Sequence, residues 1–433
     1  MGLTIKWDIT YACNLYCKHC INGQYLNKND NSININEFKN IINDISENIK
    51  IDYIHFLGGE PTVRDDFLDI CTFLNEKKIS FGFNTNTLKL NEDYINKLFQ
   101  LKFLDNIVIS LEGPTKETND EIRGKSVFDK IDKTLGYIKK INKNKKIIIN
   151  TVLSKKNYKL VNELMRYCID KNVTELDLLD LIESGNAIGS GLSLNFEEKL
   201  EALKLIATNM KSDLKVVTKF ARPLMIKYIN RKFSTNLDYT SHGCNAGLSF
   251  VYINNMGDIY SCDRVRNEHI NNNTINLTSI NFNKAWNDKE FSNIFEMLES
   301  KNYANIWPCL ECEFFKDICF PCPIDMQDTD KVQECAKTMR LTYKLDYRNI
   351  NFKYGPIRTA YNENSYIIYH VSLDKTFELD EDSYKIFNLL EIGKYKNLDD
   401  ICLDFESKLK VDDIIKFLDY IKNEGVIEVG SLC

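Results

Sequence analysis

From the start of the chain to about residue 179, short β-branched runs alternate with longer stretches whose apolar residues recur every three to four positions. The short runs predict strands at 4–10, 53–57, 80–84, 106–111, 146–153 and 175–179. The longer stretches predict amphipathic helices at 37–48, where Phe38, Ile41, Ile42 and Ile45 share one face, and at 66–77, 92–99, 127–141 and 158–171. Such alternation is the signature of a parallel sheet with crossover helices. Six βα units fall short of the eight of a closed barrel, so the expected fold is α/β, a partial (β/α)6 TIM-like barrel. Its active site would lie at the C-terminal ends of the strands.

After residue 184 the alternation is expected to stop. A helical pattern covers 196–210, and residues 244–335 are cysteine-dense and loop-rich. Beyond 340 a third pattern follows: a hairpin-like 366–379, three short helices and a final Gly425-Val426-Ile427. Leu398, Ile401 and Phe405 line one helix, and Ile414, Phe417, Leu418 and Ile421 the next, as in a small winged-helix-like domain. The domains expected are therefore 1–184, the barrel; 185–239, a bridge; 240–340, a metal-stabilised module; and 350–433, the winged tail.

Composition narrows the class. With 43% hydrophobic and 27% charged residues over 433 positions, the chain reads as an ordinary globular protein of two to four domains. No apolar run approaches the ~20 residues needed to span a bilayer, and no secretory signal opens the chain, so a cytoplasmic location is expected. A net charge of −6 argues against general affinity for nucleic acid or anionic membrane and leaves peptides or small molecules as partners. Fourteen cysteines in a reducing compartment point to metal ligation rather than disulfides.

Cys13, Cys17 and Cys20 stand as C-N-L-Y-C-K-H-C directly after the first strand. Three thiolates on one loop can hold three irons of a 4Fe-4S cluster and leave the fourth open. A closed zinc site wants four ligands, and no fourth is adjacent. The second strand ends in Gly58-Gly59-Glu60-Pro61, whose backbone and carboxylate could bind a ligand's ammonium group at the same rim.

These two motifs resemble the hallmarks of the radical S-adenosylmethionine (radical SAM) superfamily, over about residues 1–184. The resemblance implies that the amine and carboxylate of SAM chelate the open iron, and that reductive cleavage yields methionine and a 5′-deoxyadenosyl radical that abstracts a substrate hydrogen. It further implies that Ser110, in I-S-L-E-G-P, and Arg123, in E-I-R-G, contact the SAM carboxylate, for which an arginine fork is suited. Asn86, in N-T-N-T, and Thr151 fall where ribose and adenine are met, and His19 where an aromatic residue packs near adenine. Glu112 stands where relatives often carry Asp, which weakens any direct role for it.

Cys244, Cys262, Cys309, Cys312, Cys319, Cys322 and Cys335 form a second array. Two CX2C units would suit a zinc ribbon but would not use all seven. The order is similar to the SPASM extension of radical SAM enzymes, with one residue moved between the inner gaps. The resemblance implies two auxiliary 4Fe-4S clusters, three in all, one held by Cys309, Cys312, Cys319 and Cys335 and the other by Cys244, Cys262 and Cys322 with an open iron suited to a thiolate. Asp263 matches the proposed catalytic base of sulfatase maturases. Cys71, Cys168, Cys402 and Cys433 have no ligand-spaced neighbours.

A winged-helix pattern invites a DNA-binding reading, but residues 358–433 hold 9 basic and 16 acidic side chains, 9 − 16 = −7, which disfavours phosphate binding. The tail instead resembles the peptide-recognition element of makers of ribosomally synthesised modified peptides, including the PQQ-biosynthesis peptide chaperone, where a leader adds as a strand to the sheet edge. A packing or dimerisation domain is the alternative. Together these features imply a radical SAM peptide maturase acting on a precursor peptide, served by a reductant such as flavodoxin or ferredoxin, with a thioether crosslink as the favoured product. Carbon–carbon crosslinking, epimerisation, sulfatase maturation and, outside enzymes, an iron–sulfur electron carrier or sensor remain open.

Overall fold

The computed structural model describes residues 2–28, 31–141, 144–210, 214–238, 245–263, 275–287, 309, 312, 314, 319, 329–362, 364–405 and 408–430. The chain divides into two compact units, Met1–Asp328 and Thr329–Cys433.

The first unit is built on one ten-stranded sheet. Strands β1 (Leu3–Thr10), β2 (Ile51–Gly58), β3 (Ser80–Thr85), β4 (Leu104–Ser110), β5 (Lys146–Val152) and β6 (Glu175–Leu179) lie side by side in chain order, all parallel. The connecting helices are α1 (Ile35–Asn48), α2 (Phe67–Glu76), α3 (Glu92–Gln100), α4 (Lys116–Arg123), α5 (Val127–Ile141) and α6 (Val161–Asp170). In α1 the face Phe38, Ile41, Ile42 and Ile45 is buried, and Asn34 with Glu37 closes its N-terminus as a capping box. Helix α4 escapes sequence reading because K-E-T-N-D-E-I-R offers one apolar residue; it buries Asn119, Ile122 and Arg123 instead.

The expectation that the alternation stops at residue 184 is corrected. Helix α7 (Phe196–Asn209), strand β7 (Lys215–Thr218), parallel to β6, and helix α8 (Pro223–Phe233) carry it one unit further. Four residues, K-V-V-T, are too short a run to stand out against a strand pattern of six or seven.

The sheet also grows on its other edge. Strand β8 (Phe250–Ile253) pairs in parallel with β1, Thr4 opposite Phe250 through Trp7 opposite Ile253, and β9 (Asp258–Tyr260) and β10 (Ile275–Asn276) follow antiparallel. Part of the cysteine-dense region is therefore an extension of the barrel sheet. Trp7, fully buried, fastens it by donating from Nε1 to the Asn254 carbonyl at 3.1 Å. A short helix, α9 (Phe282–Trp286), packs near α1.

The second unit opens with helix α10 (Thr329–Asp346), followed by β11 (Ile350–Phe352), β12 (Ile357–Asn362), β13 (Ser365–His370), β14 (Lys375–Leu379), helices α11 (Glu381–Glu391), α12 (Leu398–Phe405) and α13 (Val411–Asn423), and β15 (Ile427–Val429). β12, β13 and β14 form an antiparallel sheet, and β15 closes back on β11. The hairpin expected at 366–379 is β13–β14. The third strand, β12, gave no apolar alternation because Arg358 to Asn362 are all exposed. Ile368, Phe377, Phe387, Ile401, Leu418 and Val426 anchor a core of buried apolar side chains drawn from sheet and helices alike. Among the described residues no helix is long and apolar enough to cross a membrane.

Candidate functional site

The loop that leaves β1 carries Cys13, Cys17 and Cys20, and neighbouring strand ends tie it down. Gly59 N–H donates to the Thr10 carbonyl (2.7 Å) and Glu60 N–H to that of Ala12 (2.9 Å). Asn86 Nδ2 reaches Asn14 Oδ1 (2.8 Å), Lys18 N–H reaches the Ile122 carbonyl at the end of α4 (3.0 Å), and Asn186 Nδ2 reaches the Cys17 carbonyl (2.9 Å). Asn27 exchanges two hydrogen bonds with the backbone of Cys13. The loop is thus fixed from the ends of β2, β3, α4 and β6, the preorganisation a cofactor site requires.

The two glycines after β2 are there for room. Gly58 has φ +120, and a Cβ would lie 2.2 Å from the Thr10 carbonyl oxygen; at Gly59 a Cβ would lie 2.1 Å from that of Ala12. Glu60 lines the cavity and is also held from within the protein. Its buried carboxylate accepts from Thr62 N (3.2 Å), Thr62 Oγ1 (2.6 Å), Thr85 Oγ1 (2.8 Å) and Asn86 N (2.6 Å). Burial raises its pKa while these donors pull it back. This carboxylate braces β2 against β3, and Pro61, buried, opens the turn that presents Thr62.

Cys13, Cys17, Cys20, Ser110, Arg123 and Asn86 line one cavity of about 280 Å³ at the C-terminal ends of the strands, together with Gly58, Gly59, Glu60, His19 and Asp263. That volume is near the lower end of small-molecule sites. Thr151 is not among the residues that line it: the hydroxyl is buried and donates to the Leu111 carbonyl at 2.7 Å, a cross-strand tie.

Arg123 and His19 both lead to a residue the sequence reading had set aside. Glu112, fully buried just past β4, receives Arg123 Nη2 at 2.6 Å and Nε at 3.1 Å on Oε1, and Val152 N at 2.9 Å on Oε2. His19 Nε2 lies 2.9 Å from the same Oε1, off hydrogen-bond alignment. Burial alone would raise the Glu112 pKa, but His19 and Arg123 outweigh it and hold the carboxyl down at about 2. Arg123 Nη1 points to Cys17 Sγ at 3.9 Å.

On the lumen side the wall is polar. Lys6 Nζ pairs with Asp263 Oδ2 at 2.5 Å, and Asp8 Oδ2 accepts from Tyr252 Oη at 2.7 Å and Asn22 Nδ2 at 3.3 Å. Beneath them Asn106, Tyr53, His55 and Asn84 form a hydrogen-bonded chain with steps of 2.8, 3.0 and 2.7 Å. Desolvation lowers the His55 pKa to about 4, so it is neutral at physiological pH.

Burial pushes the Cys13 thiol up to about 12 and that of Cys20 to about 11, and raises that of Cys17 despite Arg123. Such thiols ionise only when a metal compensates their charge. Among the described residues no three Cys, His, Asp or Glu side chains converge on a single metal ion.

In the second array Cys309, Cys312 and Cys319 lie within electrostatic reach of one another, and Cys309 and Cys319 also feel Arg222 beside α8. Cys262 follows β9, and Cys335 is on α10 of the second unit. Cys244 and Cys322 lie outside the described residues.

Residues 7–168 match the Radical SAM superfamily profile. Over 346 residues, 76% of this chain and 83% of the relative, the sequence is 23% identical to mycofactocin maturase MftC of Mycobacterium tuberculosis. It is 21% identical to the AdoMet-dependent heme synthase of Nitratidesulfovibrio vulgaris over 73% of this chain and 86% of that one. Among solved structures, Streptococcus suis SuiB bound to its precursor peptide SuiA superposes with TM-score 0.60 at 19% identity, covering 76% and 73% of the two chains, a likeness of fold. The profile match identifies residues 7–168 as a radical SAM domain, and the three thiols and the double glycine lie together at the strand ends within it.

Proposed function

We propose that the chain is a radical SAM maturase of a ribosomally made precursor peptide, and that its favoured product is a thioether crosslink. The observation that carries the proposal is the convergence of Cys13, Cys17, Cys20 and Arg123 on one cavity. The kinship to a peptide maturase named for mycofactocin supports the substrate class. A 4Fe-4S cluster with bound SAM supplies, when present, a 5′-deoxyadenosyl radical able to take a substrate hydrogen. Cys13, Cys17 and Cys20 would hold that cluster. Arg123 and Ser110 would orient the SAM carboxylate, and the Gly58–Gly59 backbone its amine. Asp263, kept beside the cavity by Lys6, stands where a base would take the proton that the oxidised product loses.

Two auxiliary clusters would complete the site, one on Cys309, Cys312, Cys319 and Cys335 and one on Cys244, Cys262 and Cys322 with an open iron for the substrate thiolate. The tail would capture the leader by strand addition to an edge of β12–β13–β14, a three-stranded antiparallel sheet. A soluble cytoplasmic setting with a flavodoxin- or ferredoxin-type reductant fits this chemistry.

The test is iron and sulfide content of anaerobically reconstituted protein, wild type against the Cys13→Ala/Cys17→Ala/Cys20→Ala variant. About twelve irons falling to about eight, with loss of deoxyadenosine formation from SAM, supports three clusters. About four irons in the wild type, or zinc, would remove the auxiliary clusters and the thioether mechanism with them. The kinship to a heme synthase favours a second reading, a porphyrin-type substrate. Porphyrin-dependent SAM cleavage unchanged by deleting the tail would favour it over the peptide.

A further inference from the structure

Arg123 is as buried as a core residue, and its guanidinium sits against the Cys17 thiol. An arginine in such a place has five donors and a choice of orientations, so something must fix which edge it shows the cavity. Glu112 does so geometrically: Nε and Nη2 both end on its Oε1, which leaves Nη1 as the donor turned toward Cys17. The carboxylate cannot itself swing. Its other oxygen holds Val152 N–H, its own N–H donates to Asn119 Oδ1 at 3.0 Å, and its carbonyl accepts from Asn157 Nδ2 at 2.8 Å. His19, two residues from Cys17 on the cysteine loop, meets the same oxygen.

We propose that Glu112 is the positioning residue of this site, touching no ligand itself but setting the Arg123 guanidinium and His19 against the cysteine loop so that a carboxylate-bearing ligand is bound at Arg123. The inference rests on the reading that this cavity takes SAM. One buried anion shared by β4, β5, α4 and the cysteine loop couples cavity shape to cation orientation. A neutral side chain of equal size would keep the shape and release the cation. Outer partners of this kind change affinity because they orient the group that makes the contact.

The experiment measures the SAM dissociation constant by equilibrium dialysis, and the SAM-induced change in the electron paramagnetic resonance of the dithionite-reduced protein. Wild type, Glu112→Gln, Glu112→Asp, Arg123→Lys and the Glu112→Gln/Arg123→Lys double variant are compared, each with its iron content. Wild type that binds no SAM removes the reading of the cavity, whatever Glu112 does. If wild type binds, Glu112→Gln is expected to raise the dissociation constant about 10- to 100-fold and to lose the spectral change at unchanged iron content. Glu112→Asp should recover most of both, and Glu112→Gln should add little to Arg123→Lys, since the two act through one contact. Binding by Glu112→Gln within about twofold of wild type, a full additional loss in the double variant, or loss of the cluster itself would each overturn the proposal, the last by making Glu112 a brace of the loop.

Discussion

The barrel and the tail solve opposite problems with similar means. In the barrel the lumen is lined by Lys6, Asp8, His55, Asn84, Asn106 and Asp177, each paired through at least one atom with another strand's side chain or a neighbouring loop, while Asn106 Oδ1 and Asp177 Oδ1 have no hydrogen-bond partner. In the tail the corresponding interior is Ile368, Phe377, Phe387, Ile401 and Leu418. A sheet that encloses a reaction cavity must keep polar groups pointing inward, and each needs a partner because an unpaired one is costly once desolvated. A small module whose interior encloses no cavity of this kind has no such need and gains most of its stability from apolar burial. Polarity inside the barrel therefore marks its cavity, whereas in the tail buried polar groups are few beside the apolar core, among them His370 and Thr338.

The sharpest way to break the contrast is at Gly59. Gly59→Ala drives a Cβ into the Ala12 carbonyl at 2.1 Å, and the expected result is loss of the first cluster, about four irons, with an unchanged far-ultraviolet circular dichroism spectrum. Next in size is the tail core. Phe387→Ala is expected to cost about 3–5 kcal/mol, enough to melt the tail selectively, while peptide-independent SAM cleavage by the barrel survives. Limited proteolysis with a deoxyadenosine assay checks both halves of that expectation.

A smaller effect comes from pH. His55 has its folded pKa depressed to about 4 from 6.5, so the unfolded chain binds the extra proton between those values. Stability contributed by the neutral imidazole is full above pH 6.5 and declines as the pH falls toward 4. Because His55 is partly open to the lumen, about 1–2 kcal/mol is expected, read as a shallower loss in urea stability from pH 7 to 5 for His55→Gln than for wild type. The smallest effect is Arg340→Ala, which removes a half-exposed bidentate pair with Asp412 and should cost under about 1 kcal/mol by urea denaturation.

Individual residues show what was legible beforehand. Cys13, Cys17, Cys20 and the Gly58–Gly59 pair were readable because spacing and identity alone carry their chemistry. Glu60 was placed in the right region, but an acid beside two glycines does not reveal that Thr62, Thr85 and Asn86 will also hold its carboxylate. Nor does the sequence reveal that the Thr151 hydroxyl donates to the Leu111 carbonyl. Glu112 was discounted because its importance arises from partners 11 and 40 residues away, Arg123 and Val152. Asn27 and Asn186, which hold the cysteine loop, left no signal in a chain so rich in asparagine.

By itself the sequence determined the first six strands and most of the helices between them, that these strands run parallel, and that three thiols sit at their C-terminal ends. Those properties follow from local periodicity and from the handed connection of strand to helix. Only the tertiary structure decided that β7 and β8 extend the sheet on both edges, that Thr62, Thr85 and Asn86 hold the Glu60 carboxylate, and that Glu112 holds Arg123 at the cavity. The reason is physical: a pattern of burial is encoded residue by residue, but the partner a buried polar group takes depends on which distant segments the fold brings within 3 Å of it.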